Sequence, residues 1–182
     1  MSASDLRQLL LDRSVRRGDF VLASGARSSY YIDARLTTMS AQGLVLIGRL
    51  GLTAIRDTGW EPAAVGGLTM GADPVAYAIA AASVAAGRLI EAFSVRKAPK
   101  DHGTGRRIEG NFRGGDSVVV VEDVITSGGS ARQAIQAVEA EGGKVLGILA
   151  VVDREEGGRQ SLEQAGYPVR TLTTAGELGL RE

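Results

Sequence analysis

Residues 122–130 bring acids, hydroxyls and glycines together in one short stretch, and this combination could bind a phosphorylated sugar. A glycine-rich turn before a helix exposes backbone N–H groups, and the positive end of the helix dipole adds to their attraction for phosphate. Carboxylates beside such a turn would bind sugar hydroxyls or a metal ion. A sugar phosphate meets both requirements. The stretch consists of Glu122, Asp123, Val124, Ile125, Thr126, Ser127, Gly128, Gly129 and Ser130.

The residues on either side predict a strand and a helix that would position this turn. The four valines 118–121 suit a strand covered on both faces, which we expect to end at the two acids. In the alternative interpretation the turn is an ordinary strand-to-helix connection with solvated acids, and Ser130 and Gln133 form a capping box. That interpretation leaves the adjacent acids unexplained. Apolar residues follow the turn at the i, i+3, i+4, i+7 spacing of a helix on a sheet, namely Ala131, Ala134, Ile135 and Val138.

Strands and helices alternate along the rest of the chain, which predicts a single α/β domain over 1–182 with a parallel sheet covered on both faces. Residues 19–33 predict a hairpin. Asp73 and Pro74 are placed as the cap and the first-turn proline of a helix that reaches about residue 86. Further helices are predicted at 4–16, 40–57, 131–141 and 158–166, and further strands at 63–68, 89–95, 145–152 and 168–173.

Residues 96–110 form the most polar passage of the chain, with five cations, three glycines, one proline and the only histidine. The passage has neither helical nor strand periodicity, so we expect a long mobile loop. In a parallel sheet, ligands bind outside the carboxyl ends of the strands. Four polar features are predicted at that edge: Gly66-Gly67, the 96–110 loop, the 122–130 turn and Asp153-Arg154.

Composition excludes several other classes of function. The 21 basic and 21 acidic residues cancel, which argues against a non-specific nucleic-acid binder. The absence of cysteine excludes disulfides, thiolate metal sites and cysteine nucleophiles. No uncharged stretch reaches the roughly 20 residues of a membrane span, and the N-terminal residues do not resemble a secretory signal, so we expect a cytoplasmic protein. Neither a P-loop nor a dinucleotide-binding glycine motif occurs.

The 118–130 stretch resembles the 5-phosphoribosyl 1-diphosphate (PRPP) signature of the type I phosphoribosyltransferases. Arg96-Lys97, Lys100-Asp101-His102-Gly103 and Ile108-Glu109-Gly110 resemble the catalytic loop of the orotate phosphoribosyltransferases. The Phe20–Asp33 segment resembles the N-terminal segment of the same enzymes. Asp153-Arg154 lies where that family has its orotate-binding arginine. The likeness covers about residues 18–156.

This resemblance implies a type I phosphoribosyltransferase fold: a central, mostly parallel sheet flanked by helices, with an N-terminal hood over about 1–38 and the mobile loop 96–110. The implied reaction transfers the phosphoribosyl group of PRPP to N1 of orotate and releases orotidine 5′-monophosphate and pyrophosphate, a step of pyrimidine biosynthesis. It also implies Mg²⁺ as cofactor, carried mainly by substrate oxygens without direct protein ligands. The expected assembly is a homodimer that shares the loop between subunits, with no nucleic-acid or membrane partner.

The resemblance also assigns roles to residues. Lys100, His102 and Asp123 are the expected catalytic residues, and Thr126, Arg154 and Tyr31 the expected orotate-binding residues. For Arg154 the alternative is a surface ion pair with Glu155 or Glu156. The residues expected to bind PRPP are Arg96, Lys97, Lys100, His102, Glu122, Asp123, Val124, Ile125, Thr126, Ser127, Gly128, Gly129 and Ser130.

Two positions depart from the family pattern. Ala23 and Met70-Gly71 stand where many members have lysine, and Arg27 or Arg35 could supply the missing charge. Two other functions remain open: a phosphoribosyltransferase for another base, and a regulator of the same fold that senses PRPP.

Overall fold

The computed structural model describes residues 2–21, 27–98 and 107–181. A six-stranded sheet lies at the centre, in the order β5-β4-β3-β6-β7-β8, and a separate two-stranded sheet pairs β1 with β2. All neighbouring pairs of the large sheet are parallel except β4 and β5. The strands are β1 (Val15–Val21), β2 (Arg27–Ile32), β3 (Ala64–Leu68), β4 (Glu91–Val95), β5 (Ile108–Gly110), β6 (Ser117–Ile125), β7 (Lys144–Asp153) and β8 (Val169–Thr174).

Helices cover both faces of the large sheet, as the alternation of elements predicts. They are α1 (Ala3–Arg13), α2 (Arg35–Thr38), α3 (Ala41–Asp57), α4 (Ala72–Ala85), α5 (Gly129–Ala140) and α6 (Gly158–Gln164). Side chains of α1, α3 and α4 pack on one face, and those of α5 and α6 on the other. Within the described ranges, no helix combines the length and the apolar character needed to cross a bilayer.

The four valines of β6 are fully buried, which confirms the prediction of a strand covered on both faces. Val119 and Val121 belong to the core beneath α3 and α4, whereas Val118 and Val120 belong to the core beneath α5. This alternation follows from the two-residue period of a strand. It also determines which face each of the next two residues, the acids, will meet.

The predicted element boundaries need four corrections. β6 does not end at the acids but continues to Ile125, because β7 pairs with it as far as Asp153. α4 begins one residue before Asp73, so its N-cap is Gly71 and Asp73 lies in the first turn. α1 ends at Arg13, since the following residues already pair with β2. The predicted 96–110 loop is shorter at its far end, where β5 pairs antiparallel with β4.

The N-terminal segment combines α1 with the predicted β1–β2 hairpin and with α2, which the sequence analysis did not identify. The α1 leucines Leu6, Leu9 and Leu10 are buried in the main core. A buried hydrogen bond of 2.7 Å joins the hydroxyls of Ser14 and Thr37, and the Asp33 N–H donates to the Ser14 carbonyl. The hairpin is therefore held to the body of the protein at its open end.

Candidate active site

The carboxyl ends of β3, β4, β6 and β7 are neighbours in the sheet, so the described parts of the four polar features lie along one edge. Backbone hydrogen bonds continue past the strand ends: Thr69 N–H donates to the Val95 carbonyl at 2.8 Å, and Arg154 N–H to the Ile125 carbonyl at 3.0 Å. The predicted convergence is confirmed for these residues. This carboxyl-end edge of the sheet is where α/β proteins bind their ligands.

A cavity of about 270 Å³ lies over the glycine-rich turn. Gly128 is the N-cap of α5 with a φ of 78°, a left-handed conformation that glycine adopts without a Cβ penalty. Ser130 therefore lies inside the first turn, and the alternative capping box is wrong. No side chain caps α5, so its first N–H groups face the cavity and make it suitable for a phosphate. The lining residues are Glu122, Val124, Thr126, Ser127, Gly128, Gly129, Ser130 and Gln133.

Glu122 and Asp123 face opposite sides of the sheet because β6 has not ended there. Glu122 is only 5% exposed and lines the α5 cavity. Asp123 contacts the start of α4, where a Cβ added to Gly71 would lie 2.5 Å from the Asp123 Oδ1 atom. The two carboxylates, both predicted to bind PRPP, could therefore contact one sugar only if that sugar spans the end of β6.

Burial raises the pKa of both carboxyls. For Glu122, burial and then the neighbouring Asp123 charge raise the pKa to about 8. Burial also raises the pKa of Asp123, although the Val124 N–H bond to its Oδ1 and the nearby Arg35 charge oppose that rise. In the ligand-free protein at neutral pH, Glu122 is therefore mostly a neutral carboxylic acid, which can donate a hydrogen bond as well as accept one.

We expect Glu122→Gln to flatten the pH dependence of stability. The folded protein keeps a proton on Glu122 that the unfolded chain releases at the ordinary glutamate pKa of 4.5. The contribution of this proton to the free energy of unfolding is therefore complete below about pH 4.5 and is lost as the pH rises towards 8. Glutamine mimics the neutral acid. The variant should be more stable than the wild type by about 2 kcal/mol or more at pH 8, but not at pH 5.

Urea unfolding at several pH values measures this difference. Glu61→Gln is a suitable control, since Glu61 is an exposed carboxylate paired with Arg88. That variant should retain the wild-type pH dependence. If the free energy of unfolding changed equally with pH in Glu122→Gln and in the wild type between pH 5 and 8, Glu122 would be ionised in the folded protein.

Asp33 and Arg35 form a charged pair near Asp123. The Arg35 guanidinium donates to both carboxylate oxygens of Asp33, at 2.8 and 3.0 Å, and lowers the pKa of that carboxyl. The charge of Arg35 also acts on Asp123. Sequence reasoning named Arg35 only as a possible replacement for lysine and missed Asp33; the short spacing Asp-x-Arg after the tyrosines was the available signal.

Arg154 is buried, with 6% of its surface exposed, and it forms the ion pair with Glu156 that the alternative interpretation predicted; that interpretation is wrong only in placing the guanidinium at the surface. Its Nη2 lies 2.8 Å from Glu156 Oε1, but its N–H groups are not aimed at that oxygen, and neither Nε nor Nη2 has a hydrogen-bond partner among the described residues. The guanidinium lies over the Tyr30 ring, 4.9 Å from its centroid. A buried guanidinium with unused donors is well suited to a planar carboxylate.

The next residue, Glu155, has a φ of 58°, which is unusual for a residue with a side chain. Its carboxylate accepts the Gly176 N–H at 2.7 Å, and its carbonyl accepts a hydrogen bond from Arg181. The C-terminal turn therefore holds the backbone just after Arg154. Sequence patterns did not reveal this support.

The remaining predicted site residues are distributed as follows. Tyr31 is 40% exposed and packs against Phe20, with the ring centroids 5.8 Å apart. Arg96 lies at the end of β4, where its guanidinium is 3.2 Å from Glu109 Oε1. Lys97 follows it. Lys100 and His102 lie outside the described residues, as does Ala23.

The acidic groups at the sheet edge could offer Mg²⁺ a single carboxylate ligand. Among the described residues, no cluster of three or more His, Cys, Asp or Glu side chains could hold a metal. Glu122 and Asp123 face opposite ways, so they do not converge on one ion. Mg²⁺ commonly uses one or two carboxylates with substrate phosphates and water. Asp123 is the carboxylate that could contribute.

Comparison with known proteins agrees with this geometry. A model of the phosphoribosyl transferase domain matches residues 41–166. The orotate phosphoribosyltransferase of Mycobacterium avium is 46% identical over 176 residues, with 97% of this chain and 96% of the relative covered. That of Aquifex aeolicus is 44% identical, with 95% of each covered. The crystal structure of Mycobacterium tuberculosis H37Rv orotate phosphoribosyltransferase in complex with PRPP has a TM-score of 0.83 at 41% identity, covering 98% of this chain and 99% of that one.

The fold and the site thus define a type I phosphoribosyltransferase. With relatives this similar over nearly its whole length, the chain belongs to the orotate phosphoribosyltransferase family.

Proposed function

We infer that the protein transfers the 5-phosphoribosyl group of PRPP to N1 of orotate, giving orotidine 5′-monophosphate and pyrophosphate for pyrimidine biosynthesis. The observation that carries this inference is the α5 cavity, which combines uncapped helix N–H groups with a buried carboxyl at the end of the central strand. The similarity to orotate phosphoribosyltransferases, one of them in complex with PRPP, supports the same substrates.

In the proposed mechanism, backbone N–H groups of 126–130 bind the 5′-phosphate, and Glu122 and Asp123 bind the ribose hydroxyls. Val124 and Ile125 connect these groups. Negative charge at Asp123 also stabilises the positive charge that develops on the ribosyl ring as pyrophosphate leaves. Because Asp123 lies on the α4 side of the strand end and Glu122 on the phosphate side, this arrangement requires the ribose to span the end of β6.

The other substrate and the leaving group need cations. We propose that Arg154 binds the orotate carboxylate, assisted by Thr126 and Tyr31. Arg96, Lys97, Lys100 and His102 would neutralise the pyrophosphate, with Lys100 the main catalytic group. Closure of the 96–110 loop would also exclude water from the reactive ribosyl centre. Mg²⁺, bound to PRPP oxygens and within reach of Asp123, would supply additional charge neutralisation.

We further propose that the active form is a cytoplasmic homodimer in which a second copy covers the apolar groove between α3 and α4. The groove has a volume of about 350 Å³, and it is lined by Leu44, Val45, Arg49, Tyr77, Ala78, Ala81 and Ala82. Val45 and Tyr77 are half exposed. Contiguous exposed apolar side chains of this kind are typical of protein interfaces.

An ultraviolet assay tests the proposed function directly. We expect orotate consumption that requires both PRPP and Mg²⁺ and that stops when a chelator removes the metal. Hypoxanthine, adenine and uracil serve as competing bases. Turnover of one of these bases without turnover of orotate would identify a different phosphoribosyltransferase, and PRPP binding without any turnover would indicate a regulator.

A further inference from the structure

The turn Thr69–Gly71 forms one wall of the Asp123 site. Gly71 packs so closely on the Asp123 carboxylate that an added Cβ would lie 2.5 Å from Oδ1. At its other end, the Thr69 N–H donates to the Val95 carbonyl at the end of β4. A small movement of this turn would therefore change the space and the polar surroundings of Asp123.

The Asp73 side chain holds this turn in place. Its Oδ2 accepts a hydrogen bond of 2.7 Å from the Thr69 hydroxyl, and its Oδ1 accepts one of 2.7 Å from the Ser94 hydroxyl. Thr69 belongs to the turn, Asp73 to the first turn of α4 and Ser94 to β4. One carboxylate thus connects three elements that meet at the edge of the site.

Tyr77 extends these contacts to the groove between α3 and α4. Its hydroxyl lies 3.0 Å from the Ser94 Oγ atom. A serine hydroxyl has a single proton, which Ser94 donates to Asp73, so Tyr77 must donate to Ser94. Tyr77 lies one helical turn after Asp73, and this residue, 53% exposed, lines the groove. The result is a chain of hydrogen bonds that links the groove to the turn and whose donors converge on the Asp73 carboxylate.

We propose that Asp73 is a positioning residue which, through Thr69 and with support from Ser94 and Tyr77, sets the Thr69–Gly71 turn against Asp123 and thereby controls the affinity for PRPP. The inference rests on the proposed function in so far as PRPP is the ligand. If the hydrogen bonds only stabilised α4, their loss would lower stability and leave PRPP affinity unchanged. A positioning role predicts a change in PRPP affinity without a comparable change for orotate.

Titration calorimetry of PRPP in the presence of Mg²⁺ tests this role without requiring catalysis. We expect Asp73→Ala to raise the Kd for PRPP about tenfold, because both hydroxyl partners lose their acceptor. Asp73→Asn keeps one acceptor oxygen and should recover part of that loss. The KM for orotate should change less than twofold in both variants. Urea unfolding and sedimentation confirm that each variant is folded and assembled as the wild type.

Tyr77→Phe provides the second arm, since it removes one hydroxyl and keeps the ring in the groove. We expect about a threefold rise in the PRPP Kd in the wild-type background and no further rise in Asp73→Ala. Tyr167→Phe is the matched control: that hydroxyl donates to Glu139 at 2.7 Å near the C-terminal end of α5, and its loss should leave the Kd unchanged.

Three results separate the outcomes. A wild-type protein that does not bind PRPP overturns the proposed function itself. Wild-type binding together with an unchanged Kd in Asp73→Ala overturns only the positioning role. Full additivity of Tyr77→Phe and Asp73→Ala would mean that Tyr77 does not act through Asp73. If Asp73→Ala fails to fold, Asp73→Asn and Tyr77→Phe carry the same comparison.

Discussion

Activity should reappear when two inactive variants, Lys100→Ala and Asp123→Ala, are mixed under conditions that exchange subunits. The expectation follows from the proposed dimer, in which each active site combines Asp123 of one subunit with Lys100 of the other. In a hybrid dimer one site then carries both substitutions and the other carries neither. Equal mixing with free exchange makes about half of the dimers hybrid, so roughly a quarter of all sites should be intact.

A matched control uses two substitutions at residues that the same subunit contributes to an active site. Arg154 and Asp123 belong to one subunit's site, because the Arg154 N–H is bonded to the Ile125 carbonyl just beyond Asp123. A hybrid of Asp123→Ala and Arg154→Ala has one defect in each site, so mixing these variants should restore nothing. Orotate turnover measures both mixtures, and labelled subunits verify exchange. Verified exchange without recovery in the Lys100 mixture would mean that each loop serves its own chain.

Arg154→Ala should raise the KM for orotate by roughly 10- to 100-fold, the effect of losing a charge-assisted pair with a carboxylate. The KM for PRPP should change less than threefold, since the phosphate cavity lies at the start of α5. The unsatisfied donors of the buried guanidinium are the structural basis for this expectation. Arg154→Lys keeps the charge but not the planar guanidinium, so its KM for orotate should lie between those of the wild type and Arg154→Ala.

Initial-rate kinetics with each substrate varied in turn measure the separation. Arg159→Ala is the matched control, because Arg159 is an arginine paired with Glu163 at 3.0 Å on neighbouring α6. It should leave both KM values unchanged. Thermal unfolding checks that loss of the Tyr30 contact has not opened the hairpin. Equal increases in both KM values for Arg154→Ala would assign Arg154 a structural role.

The sequence alone determined the parts of the protein that depend on neighbours in the chain. Four valines identified β6, the spacing of Ala131 to Val138 identified α5, and the glycines between them identified the turn. All of these are local patterns of strand period, helix period and turn chemistry. The same residues also carried the family resemblance, so the class of ligand could be predicted from the sequence as well.

Only the tertiary structure decided how far those elements extend and which way their side chains face. β6 continues past the acids because β7, more than twenty residues later, pairs with it to Asp153. That pairing sends Glu122 to the phosphate side and Asp123 to Gly71. Burial, which raises the pKa of Glu122 to about 8, is likewise a property of the packed sheet.

The supporting residues of the site were beyond sequence reasoning for the same physical reason. Asp73 was predicted as a helix cap, because Asp-Pro is a common helix start, yet its partners are Thr69 and Ser94. Ser94 lies on another strand, and Arg154 meets Tyr30 from the far end of the chain. Local patterns predict which residues form a strand, a turn or a helix, whereas contacts between distant segments arise only when the sheet brings those segments together.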